Sequence, residues 1–429
     1  MLHWLYETRA ALVAFTALTT LAAVLLAQNW TGAEKRIETQ LPRLYESDDA
    51  EFRRSLSALL GPPIVEGNRI ETLLNGDQIF PAMLQAIGSA RRTITFETYI
   101  YWSGDIGKRF VQALSERAQA GVKVHVLLDW VGSMKMESAL LDQMKRAGIQ
   151  IERFHEPHWS HWNKLNNRTH RKLLIVDGQV GFTGGVGIAD HWLGDARNPQ
   201  EWRDTHFRVR GPVVGQMQSV FLDNWMRATG HVLHGEDYFP RLEPAGTQPA
   251  QMFSSSPSGG AESMQLMYML AITAARRSID LVNSYFVPDE MTIKTLIDAA
   301  RRGVKVRVLT PSGHIDSETV RRASRGSWGP MIEAGVQIAE YQPTMLHVKG
   351  LIVDDMFSSV GSTNFDCRSF RLNDEANLNV LDAGFGRRQR EVFEADWAQA
   401  RRITLQEWQN RPLQERLLER LAMLLRSQL

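Results

Sequence analysis

One short pattern occurs twice in this chain and limits what it can fold into. His170-Arg171-Lys172 is followed by the apolar run Leu173 to Val176 and then Asp177. His347-Val348-Lys349 is followed by Gly350 to Val353 and then Asp354. Each is H-x-K-x(4)-D, and the two lie 177 residues apart. Chance supplies roughly 0.01 such matches in a chain of this composition. Only ten of the 49 basic residues are lysines, and two of the ten stand here. Wider strings repeat in the same order. Ala90 to Ile94 returns as Ala275 to Ile279, Gly121 to Val124 as Gly303 to Val306, and Ala147 to Ile151 as Ala334 to Ile338. Two tandem copies of one domain account for this, since a solenoid would need a shorter period and more copies.

Each copy reads as α/β. In the first, Phe80 to Ala90 has helical spacing, Thr93 to Ile100 alternates as a strand, and Ile106 to Ala120 is helical again. Val122 to Leu128 is a buried β-branched run, and Leu140 to Ala147 is a helix closed by Gly148 ahead of strand Ile149 to Phe154. The second copy repeats this from Gln265 onward. The alternation predicts a parallel or mixed sheet with helices on both faces. At 429 residues the chain is long enough for two such cores.

The repeated pattern carries chemistry. On an extended strand a histidine and a lysine two positions apart share a face. Docking the copies about a pseudo-twofold axis would bring two imidazoles and two ammonium groups to one point. That assembly suits phosphodiester chemistry. One imidazole attacks phosphorus while the ammonium groups stabilise the non-bridging oxygens. The other imidazole protonates the leaving alcohol and then deprotonates the acceptor. The lysines supply the positive charge, so no metal or other cofactor is expected.

The flanks are read from composition. Ala10 to Ala27 is an uncharged run of 18 residues, long enough to span a bilayer as a single helix. A cleaved signal peptide is its rival. Residues 1–30 are therefore expected to be a membrane anchor and 31–68 a neck. The first domain is expected over 69–242, a linker over 243–260 and the second domain over 261–429. Lys35, Arg36 and Arg43 against Arg9 place the body weakly on the cytoplasmic side of the cell membrane. The 48 acidic residues nearly cancel the 49 basic ones, which argues against a nucleic-acid partner. Cys367 is the single cysteine, which excludes an intrachain disulfide and a cysteine-built zinc site.

The duplicated motif resembles that of the phospholipase D superfamily. It is preceded by Asn167-Arg168-Thr169 and followed by Gly184-Gly185 and by Gly361-Ser362-Thr363-Asn364. Within the superfamily the strings Asn75-Gly76-Asp77, Phe96 to Ile100, Trp202 to His206, Tyr285 to Asp289 and Arg368 to Asn373 are most similar to bacterial cardiolipin synthases. The resemblance covers about residues 69 to 425. It implies two tandem phospholipase D-like α-β-α sandwich domains with pseudo-twofold symmetry, preceded by one transmembrane helix. His170 would be the nucleophile and His347 the general acid/base, or the reverse. Lys172, Lys349 and Asn364 would hold the phosphate, and Asp204 and Glu375 would orient the histidines. Asp177 and Asp354 would buttress the motif loops. One departure stands out: Gly187 occupies the position where the family has an asparagine.

The expected activity is a membrane-bound phosphatidyl transfer that makes cardiolipin from phosphatidylglycerol through a phosphohistidine. The alternatives are a phospholipase D that hydrolyses phospholipids to phosphatidic acid and a metal-independent nuclease of the same superfamily. A lipid-binding scaffold with a dead site is a different class, and two intact His-Lys sets argue against it. Three further features stay open. His155, His158 and His161, interleaved with Trp159 and Trp162, are read as a lipid-touching loop, a metal site or packing. Leu413, Leu417, Leu418, Leu421, Leu424 and Leu425 form one face of a C-terminal helix, packed on the body or lying at a membrane. Arg321, Arg322 and Arg325 rim the substrate entrance or form a solvated face.

Overall fold

The computed structural model describes residues 37–156, 166–257 and 263–429, with seven positions between 12 and 24. Fifteen strands form the continuous path of one mixed sheet. In the first half these are β1 (Val65–Leu74), β2 (Thr93–Thr98), β3 (Lys123–Asp129), β4 (Gln150–Phe154), β5 (Leu173–Val176), β6 (Val180–Gly184) and β7 (Thr205–Arg210). In the second they are β8 (Gln248–Ser255), β9 (Ser278–Asn283), β10 (Lys305–Pro311), β11 (Gln337–Tyr341), β12 (Lys349–Val353), β13 (Phe357–Gly361), β14 (Asn373–Val380) and β15 (Ala400–Ile403). The order is β4-β3-β2-β5-β6-β7-β1 in one half and β11-β10-β9-β12-β13-β14-β8 in the other, joined where β1 pairs antiparallel with β8. Each strand thus has a counterpart seven places on, and β15 is an extra edge beside β11. In each half two strand pairs are parallel and the rest antiparallel, the mixed sheet that the alternation implies.

Helices cover both faces. One face of the first half packs on helices Asn75–Ser89, Asp105–Gln119 and Ser138–Arg146 through Phe80, Phe110, Leu114 and Met144. The other face packs on helix Val213–Thr229 through Met217, Phe221 and Trp225. The second half repeats this with Met264–Ala274 and Glu290–Arg301 on one face and Ala383–Trp397 on the other.

Two expectations for the flanks are corrected. The stretch Glu243 to Gly260, read as a linker from its Pro, Gly and Ser content, contains strand β8. Its Ala250, Met252 and Phe253 are buried. Pairing to β14 on one side and β1 on the other overrides the local composition. The neck is no spacer either. Helix Ala50–Leu60 spaces Phe52, Leu56 and Leu60 four apart, so all three fall on one face, and that face is buried in the core of the second half. Burying three such side chains contributes about 1.5–3 kcal/mol each. Ser47 donates to Asp354 and Glu46 pairs with Arg276, so the segment ahead of the first copy clasps the second.

The C-terminal helix Leu413–Met423 also departs from its simplest reading. It packs against helix Glu318–Gly326 through Ala422 and the buried Glu419, which pairs with Arg325 and Arg411. Leu413, Leu417, Leu421 and Leu424 face outward and are exposed. Among the described residues no helix is long and apolar enough to cross a membrane. Most of the expected anchor Ala10 to Ala27 lies outside the described residues, and so do His158, Trp159, His161 and Trp162.

Candidate active site

The motif aspartates explain the local geometry. Asp177 and Gly178 both take the left-handed conformation, φ 54° and 62°, as do Asp354 and Asp355 at 53° and 60°. Two such residues make the tight turn that joins adjacent antiparallel strands, and Asp tolerates that conformation better than most residues do. The Asp177 carboxylate then accepts from the backbone amides of Arg91, Arg92 and Thr93 at the start of β2. Asp354 accepts from Arg276, Arg277 and Ser278 at the start of β9. Both aspartates lock strand ends far from the cavity described below.

At the other end of β5 and β12 the copies interlock. The His170 amide donates to the Asp374 carbonyl at 2.8 Å, and the His347 amide donates to the Arg203 carbonyl at 2.7 Å. Each contact sets a histidine beside the next residue of the opposite copy, which is a carboxylate. His170 Nδ1 lies 3.0 Å from Glu375 Oε1, and His347 Nδ1 lies 2.8 Å from Asp204 Oδ2. Every histidine is therefore oriented by the other half. Lys172 Nζ donates to the His170 carbonyl and Lys349 Nζ to the His347 carbonyl, each at 2.7 Å. All four side chains are buried; His170, Lys172 and His347 line one cavity of about 760 Å³, and Lys349 Nζ lies against the His347 ring.

Burial sets the charge states. It pushes the His170 imidazole down to about 4, with Lys172 and Lys349 adding to the shift against the pull of Glu375. The His347 imidazole is lowered by burial and by Lys349. Burial brings Lys172 down to about 7 and Lys349 to about 8. Burial works against ionisation of Asp204 and Glu375, yet their histidines and the lysines hold both carboxyls below the usual range. Two neutral imidazoles facing two carboxylates through Nδ1 present Nε2 to the cavity, where it can attack or accept a proton. Among the described residues His170 Nε2 has no protein partner, whereas Lys349 Nζ lies 3.1 Å from both ring nitrogens of His347.

The carboxylates are held differently in the two copies. Glu375 accepts from the Ser362 hydroxyl. The matching residue in the first copy is Gly185, where a Cβ would lie 2.2 Å from Asp204 Oδ1. Asp204 accepts instead from the Trp192 indole at 2.9 Å. Trp192 also explains Gly187. A Cβ there would sit 2.8 Å from Ile100 and 3.2 Å from the Trp192 ring, so no asparagine fits. Asn364, its counterpart, lines the cavity, and its Oδ1 is buried without a protein partner.

Other expected features lie elsewhere. Trp192 is buried in the cavity wall beside Trp202 and His347. His155 contacts the Asn167 carbonyl, and no cluster of metal-binding side chains occurs among the described residues. Arg321 and Arg325 pair with the buried Glu340 instead of rimming the cavity, and the half-exposed Arg322 pairs with Glu318. The roles of Ser362 and Trp192 were not foreseen. The only sequence signal was that the two copies differ at the first residue after the glycine.

A two-copy sheet whose motif strands meet at a single His-Lys cavity defines a phospholipase D-like protein. The model of the family "Cardiolipin synthase, PLD-like domain" matches residues 83–195 and 268–397. Cardiolipin synthase 1 of Bacillus anthracis is 35% identical over 369 residues, covering 84% of this chain and 72% of that protein. Cardiolipin synthase A of Pseudomonas putida is 35% identical over 381 residues, covering 89% and 79%. Among solved structures, the phosphatidylserine synthase of Haemophilus influenzae superposes with a TM-score of 0.64 at 13% identity, over 88% of this chain and 100% of that one. At that identity the likeness is one of fold. The chain belongs to the cardiolipin synthase family of phospholipase D-like proteins.

Proposed function

We propose that the chain is a phospholipase D-type phosphatidyltransferase that makes cardiolipin from two molecules of phosphatidylglycerol. The observation that carries this is the convergence of His170, Lys172 and His347 on one cavity, with Lys349 against the His347 ring, in a chain that aligns with cardiolipin synthases over most of its length. His170 Nε2 attacks the donor phosphorus. The N–P bond forms and the bond from phosphorus to the glycerol oxygen breaks, and His347, which takes up a proton at Nε2 as the anionic phosphodiester binds, gives that proton to the leaving glycerol. Lys172, Lys349 and Asn364 stabilise the charge on the phosphoryl oxygens. The free hydroxyl of a second phosphatidylglycerol then yields its proton to His347 and attacks phosphorus, and the N–P bond breaks.

The walls favour an alcohol over water as acceptor. Trp102, Trp192, Trp202 and Ile100 line the cavity, and excluding water protects a reactive phosphoramidate. Membrane attachment fits this reading. The expected anchor at Ala10 to Ala27 would tether the chain, and the exposed leucine row of the C-terminal helix would lie in the headgroup region. Purified protein incubated with labelled phosphatidylglycerol should release glycerol and form cardiolipin. Phosphatidic acid as the sole product would instead assign the protein to hydrolysis.

A further inference from the structure

Two arginines in the cavity have no place in that cycle. Arg168 stands two residues before His170, about 6.6 Å along an extended strand. It belongs to the short strand Arg168–Thr169, which pairs in parallel with Asn373 and Asp374 of the other half. Arg368 comes from that other half, in helix Cys367–Arg371, four residues after Asn364. Both guanidiniums line the cavity that holds the histidines. Arg368 donates to Asn166 and to the Gln428 carbonyl, which fixes its direction, and Arg168 donates to the Asn167 carbonyl. Burial lowers Arg368, and the charge of Arg168 lowers it further, so the two cations repel.

Asp129 is the nearby carboxyl that acts on both arginines, and burial raises it to about 6. Asp316 accepts from the Tyr285 hydroxyl, and burial raises Asp366 to about 7. Two guanidiniums on the wall of one cavity suit a phosphodiester. The donor phosphate is already accounted for by Lys172, Lys349 and Asn364. A second anion is needed only if the acceptor carries one. A glycerophospholipid with a free headgroup hydroxyl does, with three carbons between that hydroxyl and its own phosphate, a reach comparable to two residues of strand.

We propose that Arg168 and Arg368 form an acceptor subsite that binds the phosphodiester of the second lipid and selects an anionic hydroxyl-bearing phospholipid over water or a neutral alcohol. This rests on the transferase reading above. The test uses full-length protein in mixed micelles of phosphatidylglycerol with labelled free glycerol. Exchange of label into phosphatidylglycerol reports transfer to a neutral acceptor, and cardiolipin reports transfer to an anionic one, both from the same phosphatidyl-enzyme. Arg168→Gln should lower the ratio of cardiolipin to exchanged label by roughly tenfold or more, the scale of one lost charge-assisted hydrogen bond. Arg168→Lys should restore part of it, and Arg368→Lys should lower it less than Arg168→Gln does. A ratio unchanged in Arg168→Gln overturns the subsite, because the arginines then serve the donor phosphate or the fold alone. Wild-type protein that exchanges label but forms no cardiolipin overturns the transferase reading, and the subsite falls with it.

Discussion

The two half-sites share a histidine, a lysine and a turn aspartate, but their walls differ. His347 lies between Trp192, edge-on at 5.2 Å, and Trp202, stacked at 5.6 Å. Among the described residues His170 meets only the edge of Tyr99, at 5.2 Å. Lys349 donates to the Ser284 hydroxyl, whereas Lys172 lies 5.7 Å from the centre of the Tyr99 ring. Ser362 steadies one carboxylate and Trp192 the other. The difference teaches that duplication has kept the histidine, lysine and aspartate of the motif and altered what surrounds them, Asn364 against Gly187 included. Under the proposed cycle the halves therefore divide the labour: an open imidazole suits attack, and an imidazole enclosed by indoles and an ammonium suits proton transfer.

The strongest way to break this comparison is to remove each imidazole. His170→Ala and His347→Ala should each abolish cardiolipin formation in a folded protein. General acid–base loss alone costs about 10²–10⁴ in rate, and loss of the nucleophile removes the route altogether. Retention of a tenth of the activity by either variant would mean that the halves work independently.

The crossed carboxylates should give a smaller effect. Glu375→Gln leaves His170 without its anionic partner, and Asp204→Asn does the same to His347. Each should slow turnover by about 10²-fold, with circular dichroism unchanged. Single-turnover assays of glycerol release should show both defects, because His170 attacks and His347 protonates in that step. Glu375→Gln should slow glycerol release, although Glu375 belongs to the half that does not contain His170. If Asp204→Asn alone slows that step, the interlocked pairing does not operate.

The smallest effect expected is on pH dependence. An ammonium that loses its proton no longer stabilises the phosphoryl oxygens, so activity falls on the alkaline side. Lys172 is brought down to about 7 and Lys349 to about 8, while His170 protonates only near about 4. The profile of kcat/KM, which reports the free protein, should therefore rise through about 4 and decline from about 7 upward. Lys172→Arg should remove the first part of that decline, because a guanidinium does not deprotonate in this range. An identical alkaline limb in Lys172→Arg and Lys349→Arg would show that neither lysine titrates there.

How much of this was legible in the sequence follows from the range of the interactions. Lys172 just ahead of its buried strand, Lys349 at the start of its own, and Asp177 and Asp354 in their turns follow from period-2 alternation and turn chemistry within ten residues. The strand counterparts follow from the repeat. The pairing of His170 with Glu375 across the copies could not be read, because it depends on how two finished domains dock. Strand β8 was hidden for the same reason: Gln248-Pro249-Ala250-Gln251 looks like linker until β1 and β14 lie on either side of it. Helix Ala50–Leu60 shows its apolar face in sequence, but its partner surface is built from residues some 200 positions later. Gly187 was legible as a departure, and only the position of the Trp192 ring explains it.

The central claim is that a single histidine carries the phosphatidyl group while the other half of the molecule serves it. The most direct measurement locates that group. His347→Ala protein is incubated with phosphatidylglycerol labelled in the phosphatidyl moiety, quenched at alkaline pH to preserve a phosphoramidate, digested and mapped by mass spectrometry. The account predicts acid-labile label on His170 and on no other residue, with one glycerol released per labelled chain. Label on His347 in wild-type protein, or cardiolipin formed with no protein-bound label at any time point, would contradict it.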